Sequence, residues 1–169
     1  MGQWAALAGT ARSQFIELRP LNEDPDLMLE SIEGKQIALN TFRGKAVLVN
    51  FWATWCPPCR RELPLLADLT RATSDQSLEI VAISIDQAER PTVEGFLEHL
   101  GIVELRPFLD PRGRIAKPIG SHTLTPFVLW GMPISYIIDR EGRLSGYITG
   151  EVEWTSQQGR AFLEYYAHG

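Results

Sequence analysis

The segment NFWATWCPPC, residues 50–59, joins an apolar run at residues 46–49 to a helical pattern at residues 60–67. Both cysteines of the chain, Cys56 and Cys59, lie in this segment with two residues between them. A cysteine at the start of a helix meets unpaired backbone N–H groups and the positive end of the helix dipole, which stabilise the reactive thiolate. The segment therefore predicts a dithiol that takes part in thiol–disulfide exchange.

The length and composition indicate one globular domain. The chain has 169 residues, of which 44% are hydrophobic and 22% are charged, and this is enough to bury a substantial core. The start of the chain is weakly patterned, so we expect a lead-in or linker at residues 1–26, with a solvated loop at residues 22–26, followed by a domain at residues 27–169. The formal charge of −5 provides no basic surface for nucleic acid.

The N-terminal residues leave the cellular compartment open. Residues 1–10 lack a positively charged region and have too short an apolar stretch for an intact signal peptide. No apolar run approaches the roughly 18 residues of a membrane span. Either the protein is cytosolic, or a signal or membrane anchor is absent from this sequence.

The hydrophobic patterns predict an α/β fold with a central mixed sheet, helices on both faces and an N-terminal β-hairpin. In chain order we expect a hairpin around Glu33-Gly34, a buried strand at 46–51, a helix after Cys59, a strand at 80–85, a helix at 93–100 capped by Thr92, a short helix at 114–120, strands at 134–138 and 144–148, and a helix at 156–166 capped by Thr155.

Three segments resemble the thioredoxin superfamily, and in particular its extracytoplasmic TlpA-like branch of thiol–disulfide oxidoreductases. FWATWCPPC at residues 51–59 is similar to the active-site segment, residues 39–50 to the lead-in strand, and residues 131–142 to the cis-proline strand of that branch. Pro64 inside the first helix also matches the family. The resemblance covers roughly residues 27 to 166 and implies a thioredoxin-like fold.

The favoured catalytic assignment makes Cys56 the attacking thiol and Cys59 the resolving thiol, so that the Cys56–Cys59 disulfide is the redox group and no other cofactor or metal is expected. Pro57 and Pro58 occupy the first helical turn, where a missing N–H costs little, and they stiffen the loop between the sulfurs. An inert disulfide is disfavoured because such a short ring constrains the unfolded chain little. A zinc site is disfavoured because a second pair of ligands is missing.

Three further residues are candidates for substrate binding. Trp55, next to Cys56, is expected to form part of a docking surface. The resemblance implies that Pro133 is cis and faces the dithiol, so that a neighbouring backbone edge can pair with an extended substrate, and that Met132 contributes to specificity. An ordinary trans proline at the entrance of a strand is the alternative.

The roles of several polar residues stay open at this level. Asn50 stands where classical thioredoxins carry a buried Asp, and is either a hydrogen-bonded core amide or a group that tunes the thiols. Arg60 and Arg61 either lower the thiol pKa or are solvated. His122 is most simply a surface residue.

The function most consistent with these features is a thiol–disulfide oxidoreductase that reduces protein disulfides in the periplasm. The resemblance implies cysteine-containing client proteins, among them apocytochrome c or copper-site proteins, and a membrane dithiol as electron donor. A disulfide oxidase or isomerase is an alternative, since potentials within this fold span about 150 mV. A Cu(I) metallochaperone that uses the two thiolates is another, because soft thiolates select Cu(I).

Overall fold

The computed structural model describes residues 15–23, 26–73 and 76–169. The strands are Phe15–Glu23 (β1), Met28–Ser31 (β2), Gln36–Ala38 (β3), Ala46–Trp52 (β4), Leu78–Ser84 (β5), Phe108–Leu109 (β6), Ala116–Pro118 (β7), Phe127–Leu129 (β8), Ile134–Ile138 (β9) and Arg143–Thr149 (β10). The α-helices are Pro57–Ala72 (α1), Arg90–His99 (α2) and Gln157–His168 (α3), and a 3₁₀ helix spans Leu39–Phe42. None of these helices is long and apolar enough to cross a membrane.

Eight strands form one mixed sheet in the order β1-β10-β9-β4-β5-β6-β2-β3. At its centre β4 pairs in parallel with β5 and antiparallel with β9. All seven residues of β4 are buried, as predicted for a strand that is covered on both faces. The mixed sheet and the thioredoxin-like fold are therefore confirmed, and the carboxyl end of β4 delivers the dithiol to the N-terminus of α1.

The two faces of the sheet are covered differently. The buried hydrophobic side chains of α1, α2 and α3 all belong to one core cluster, which also contains Trp52. The opposite cluster contains Phe51 and is closed by Leu39 of the 3₁₀ helix and by β7 and β8, which pair in parallel as a separate small sheet. The three α-helices thus stabilise the face that carries the dithiol.

The short helix predicted at residues 114–120 is wrong, because this stretch contains β7. Pro118 has no N–H to donate within a helix. The Asp110 carboxylate instead accepts hydrogen bonds from the backbone N–H groups of Arg114, Ile115 and Ala116, at 2.7 to 3.0 Å. These bonds fix the chain in an extended course toward β7.

The start of the sheet also differs from the prediction. Residues 15–23, expected within a lead-in, form β1 and pair antiparallel with β10, with Phe15 opposite Ile148. The expected loop at 22–26 is corrected at residues 22 and 23, which continue this strand, while residues 1–14, 24 and 25 lie outside the described residues. The domain boundary at residue 26 stays a prediction.

Local sequence signals predicted the β-hairpin correctly, but they assigned the wrong N-cap residue to two helices. Strands β2 and β3 form the predicted antiparallel hairpin, with Gly34 at φ +84° in its turn. Helix α3 is capped by Ser156, whose Oγ accepts from the Gly159 N–H at 3.1 Å, and not by Thr155. Helix α2 begins at Arg90 and not after Thr92, because proline is well tolerated in a first helical turn and Pro91 occupies one.

Candidate active site

Cys56 and Cys59 form a disulfide at the N-terminus of α1, with 5.3 Å between their Cα atoms. Cys56 is the N-cap residue, and its Sγ accepts a hydrogen bond from the Cys59 N–H at 3.4 Å. Pro57 and Pro58 occupy the first helical turn, where their missing donors leave no hydrogen bond unmade. The site therefore places the Cys56 sulfur where backbone donors and the helix dipole favour a thiolate.

The residue before the dithiol is exposed. Trp55 is 65% accessible, whereas Trp52, at the end of β4, is fully buried. Both sulfur-bearing residues are nearly covered, with 4% exposure for Cys56 and 1% for Cys59. The indole of Trp55 is thus the large apolar surface next to the disulfide.

The Met132–Pro133 peptide bond is cis, as the resemblance implied. Because Ile134 pairs with Phe51, Pro133 lies at the edge of the sheet where β4 ends and the dithiol loop begins. Among the described residues, no backbone group donates to or accepts from Met132, although Pro133 accepts from the Gly150 N–H at 2.7 Å. The Met132 backbone therefore has no backbone hydrogen-bond partner in the part of the chain that the structure describes.

A buried carboxyl lies behind the dithiol. Glu62 is 1% exposed and stands three residues after Cys59, on the same side of α1. Its Oε1 accepts from Asn50 Nδ2 at 2.6 Å, and its Oε2 accepts from the Val152 N–H at 2.6 Å. The carboxyl thus joins α1 to the central strand and to the segment before α3.

Burial raises the pKa of Glu62 to about 8, well above its ordinary value of 4.5. Hydrogen bonds from Val152 and Asn50 act in the opposite direction and favour the carboxylate. The indole N–H of Trp154 has no hydrogen-bond partner among the described residues, but it lies near enough to lower this pKa as well. A carboxyl with such a pKa exchanges its proton near neutral pH.

Sequence reasoning missed Glu62 as a functional candidate. The signal was present, since Glu62 falls on the same helical face as the apolar positions Cys59, Leu63 and Leu66. An acidic residue on an apolar face is rarely buried without a partner. The partner is Asn50, which therefore holds the missed carboxyl in place as a core amide.

The loop that carries Trp55 is fixed by a second buried carboxylate. Asp86, which is 4% exposed, accepts from the Thr54 N–H at 3.0 Å and from Thr54 Oγ1 at 2.6 Å. Ser84 Oγ also donates to Asp86, at 2.7 Å. The end of β5 thus holds the turn that leads into Cys56.

The two arginines after the dithiol contact other groups. The Arg60 guanidinium lies over the Phe96 ring at 5.4 Å, and Phe96 stacks on Trp52. Arg61 makes a bidentate pair with Glu151 on the surface, and this raises the pKa of the guanidinium. The sequence left two alternatives open for these arginines, a lowering of the thiol pKa or solvation. The structure supports solvation, because both side chains are exposed and make their contacts at the surface.

Within the described ranges, no group of three or more His, Cys, Asp or Glu side chains is placed to hold a metal ion. His122 is exposed in the loop between β7 and β8.

Comparison with known proteins places this site in a family. Residues 21–146 match the family model described as AhpC/TSA family. A thiol-disulfide oxidoreductase ResA from Bacillus thuringiensis (strain Al Hakam) is 32% identical over 142 residues, which cover 84% of this chain and 75% of the relative. ResA from Geobacillus thermodenitrificans is 32% identical over 126 residues, covering 75% of this chain and 67% of the relative.

Solved structures show the same fold. A candidate thiol:disulfide interchange protein DsbE from Chlorobium tepidum is 27% identical with a TM-score of 0.67, covering 86% of this chain and 99% of that protein. The exposed lipoprotein thioredoxin Etrx1 from Streptococcus pneumoniae is 21% identical with a TM-score of 0.65, covering 84% of this chain and 98% of that protein.

Proposed function

This chain belongs to the AhpC/TSA family and is a thiol–disulfide oxidoreductase of the TlpA-like, ResA-related kind, and from that premise we propose that it reduces disulfides of client proteins outside the cytoplasm. The observation that carries the proposal is a disulfide at a helix N-terminus, at the same end of the sheet as Met132, whose backbone has no hydrogen-bond partner among the described residues. An extended client segment can add to that backbone edge while its disulfide meets Cys56.

The proposed reaction transfers two electrons to the client. In the reduced protein the Cys56 thiolate attacks one sulfur of the client disulfide, and the other client sulfur leaves as a thiolate that takes up a proton. The Cys59 thiol then loses its proton and its sulfur attacks Cys56 Sγ, which releases the second client sulfur as a thiolate that also takes up a proton. The client is reduced to two thiols, and the protein is left with the Cys56–Cys59 disulfide.

Glu62 is the group that we assign to receive the proton of Cys59. It lies one helical turn from Cys59 and is buried with it, and its ionised form, whose population grows as pH rises toward the pKa of about 8, is the form that accepts the proton. A carboxyl of ordinary pKa would be a weaker base. Glu62→Gln removes this base, so it should slow the release of the client from the mixed disulfide and leave the first attack by Cys56 unchanged.

The assigned roles of the cysteines are tested by trapping. Cys59→Ser should accumulate a mixed disulfide with the client on Cys56, visible by mass spectrometry, because the resolving sulfur is absent. Cys56→Ser should form no adduct. Turnover that survives in either variant would contradict the assigned roles, and stoichiometric Cu(I) binding without disulfide exchange would favour a metallochaperone instead.

The direction of electron flow is tested by the reduction potential of the Cys56–Cys59 couple, measured by equilibration against glutathione. A reductase should have a potential near that of thioredoxin, about −270 mV. A potential near about −120 mV, at the oxidising end of the range, would make the protein a disulfide donor.

We further propose a periplasmic location, a membrane dithiol as the donor that returns the disulfide to the dithiol, and clients among apocytochromes c or copper-site proteins. Resemblance to the TlpA-like branch supports these assignments. The client assignment is tested by comparing the rates at which the reduced protein acts on oxidised CxxCH peptides, oxidised copper-site peptides and an unrelated disulfide peptide. Equal rates on all three would contradict the client assignment.

A further inference from the structure

An open groove of about 840 Å³ runs from Trp55 away from the dithiol. Its walls are residues 85–88, which follow β5, residues 110–113, which follow β6, and strand β7. Both β5 and β6 end at this edge of the sheet, so the groove lies on the same side of the molecule as the dithiol loop. The exposed indole of Trp55 forms the end of the groove next to Cys56.

The acidic and the basic side chains that line the groove differ in their exposure. Asp86 and Asp110 are each 4% exposed, and their oxygens accept hydrogen bonds from within the protein. Arg112 is exposed and Lys117 is half-buried, and neither makes an ion pair with any part of the chain that the structure describes. The charged groups that a ligand in the groove would contact directly are therefore the two cations, Arg112 and Lys117.

The fold fixes the loop that carries Arg112 and the stem of Lys117. Asp110 accepts from three consecutive backbone N–H groups and so fixes the loop that carries Arg112. Gly113 has φ +59°, and an added Cβ there would lie 3.3 Å from the Lys117 side chain. The stem of Lys117 thus packs along Gly113, which limits the positions that its ammonium group can take.

We propose that this groove binds an extended segment of the client polypeptide that flanks the reactive cysteine and carries Asp or Glu side chains. The inference rests on the proposed function, because the client cysteine must reach Cys56 beside Trp55. On a protein with a net charge of −5, the exposed charges of this groove, Arg112 and Lys117, are cationic, and they distinguish one orientation of a client from others by charge. Trp55 supplies the apolar contact at the junction.

The test uses two short peptides that differ only in Asp or Asn at the positions flanking a single cysteine. Each cysteine is linked by a disulfide to a small chromophoric thiol. The pre-reduced protein converts this disulfide to two thiols in a single turnover, and the chromophore reports the second-order rate constant. Dithiothreitol is run on both peptides, and each protein rate is divided by the dithiothreitol rate to remove the effect of the flanking charge on the leaving thiol.

With the wild-type protein the normalised rate should be about fivefold higher for the Asp peptide at low salt, as expected for two exposed ion pairs. The ratio should fall as salt is added. It should fall to about one in R112Q/K117Q. The matched control is K35Q/R140Q, which removes the same charge from the β2–β3 and β9–β10 turns, away from the groove, and it should keep the wild-type ratio.

A wild-type ratio of about one, or the same preference in R112Q/K117Q as in the wild type, would overturn the inference while the peptides are still reduced. Failure of the reduced protein to react with either peptide would instead overturn the proposed function.

Discussion

Asn50 Nδ2 donates a hydrogen bond of 2.6 Å to Glu62 Oε1, behind the disulfide. The same amide nitrogen donates to Ser135 Oγ at 2.9 Å, so one side chain joins β4, α1 and β9. An amide cannot take up the proton that a buried Asp would accept at position 50. The carboxyl of this site is on α1 instead, and Asn50 orients it.

The raised pKa of Glu62 predicts a specific dependence of stability on pH. Between about 4.5 and 8 the folded protein keeps a proton that the unfolded chain has lost, so the free energy of unfolding should fall as pH rises through this range. Urea denaturation of the oxidised protein across pH measures this slope. Glu62→Gln, which has no ionisable group, should show a flatter profile, and an equal slope in both proteins would contradict the assignment.

Asn50→Asp should destabilise the oxidised protein by about 2 kcal/mol or more, because it replaces a donor with a second buried carboxyl beside Glu62. The loss should be larger at pH 8 than at pH 5, since repulsion grows as both groups ionise. Ser135→Ala is the matched control. It removes an acceptor from the same amide without adding charge, so it should cost about 1 kcal/mol at both pH values.

Asp86→Ala should loosen the turn before Cys56. It removes the acceptor of Thr54 N–H, Thr54 Oγ1 and Ser84 Oγ, so we expect a loss of about 2 to 3 kcal/mol in the free energy of unfolding and a lower rate of client reduction. Thr54→Val removes one of these bonds and should cost about 1 kcal/mol. Equal stability of Asp86→Ala and the wild type would show that the network does not hold this loop.

Asp110→Ala should impair the groove without changing the reactivity of the dithiol. It leaves the backbone N–H groups of residues 114–116 without their acceptor, so the loop that carries Arg112 should lose its fixed course. The preference for the Asp peptide should decrease, while the rate with a small uncharged disulfide stays unchanged. A large fall in the small-disulfide rate would mean that Asp110 acts on the dithiol itself.

Features that depend on neighbouring residues were predicted well. The almost continuously apolar strand β4, the prolines in the first turn of α1 and the hairpin around Gly34 are each specified within a few residues, and the structure contains all three. The prediction of a short helix at residues 114–120 was wrong. Asp110, which accepts hydrogen bonds from the backbone of this stretch and holds it extended, lies outside the segment on which the prediction was based. Strand β1 was missed because its pairing partner, β10, lies more than a hundred residues later in the chain.

Chain connectivity alone was enough to place the dithiol at a strand–helix junction, and with it the class of chemistry. The partners of Glu62 could not be read in this way, since Asn50 and Val152 lie 12 and 90 residues away along the chain and meet only when the sheet assembles. The same holds for the groove, whose walls follow β5 and β6 and come together because those strands pair. Short-range geometry decided the position of Cys56 and Cys59, and long-range packing decided which carboxyl is buried behind them and which cations line the groove.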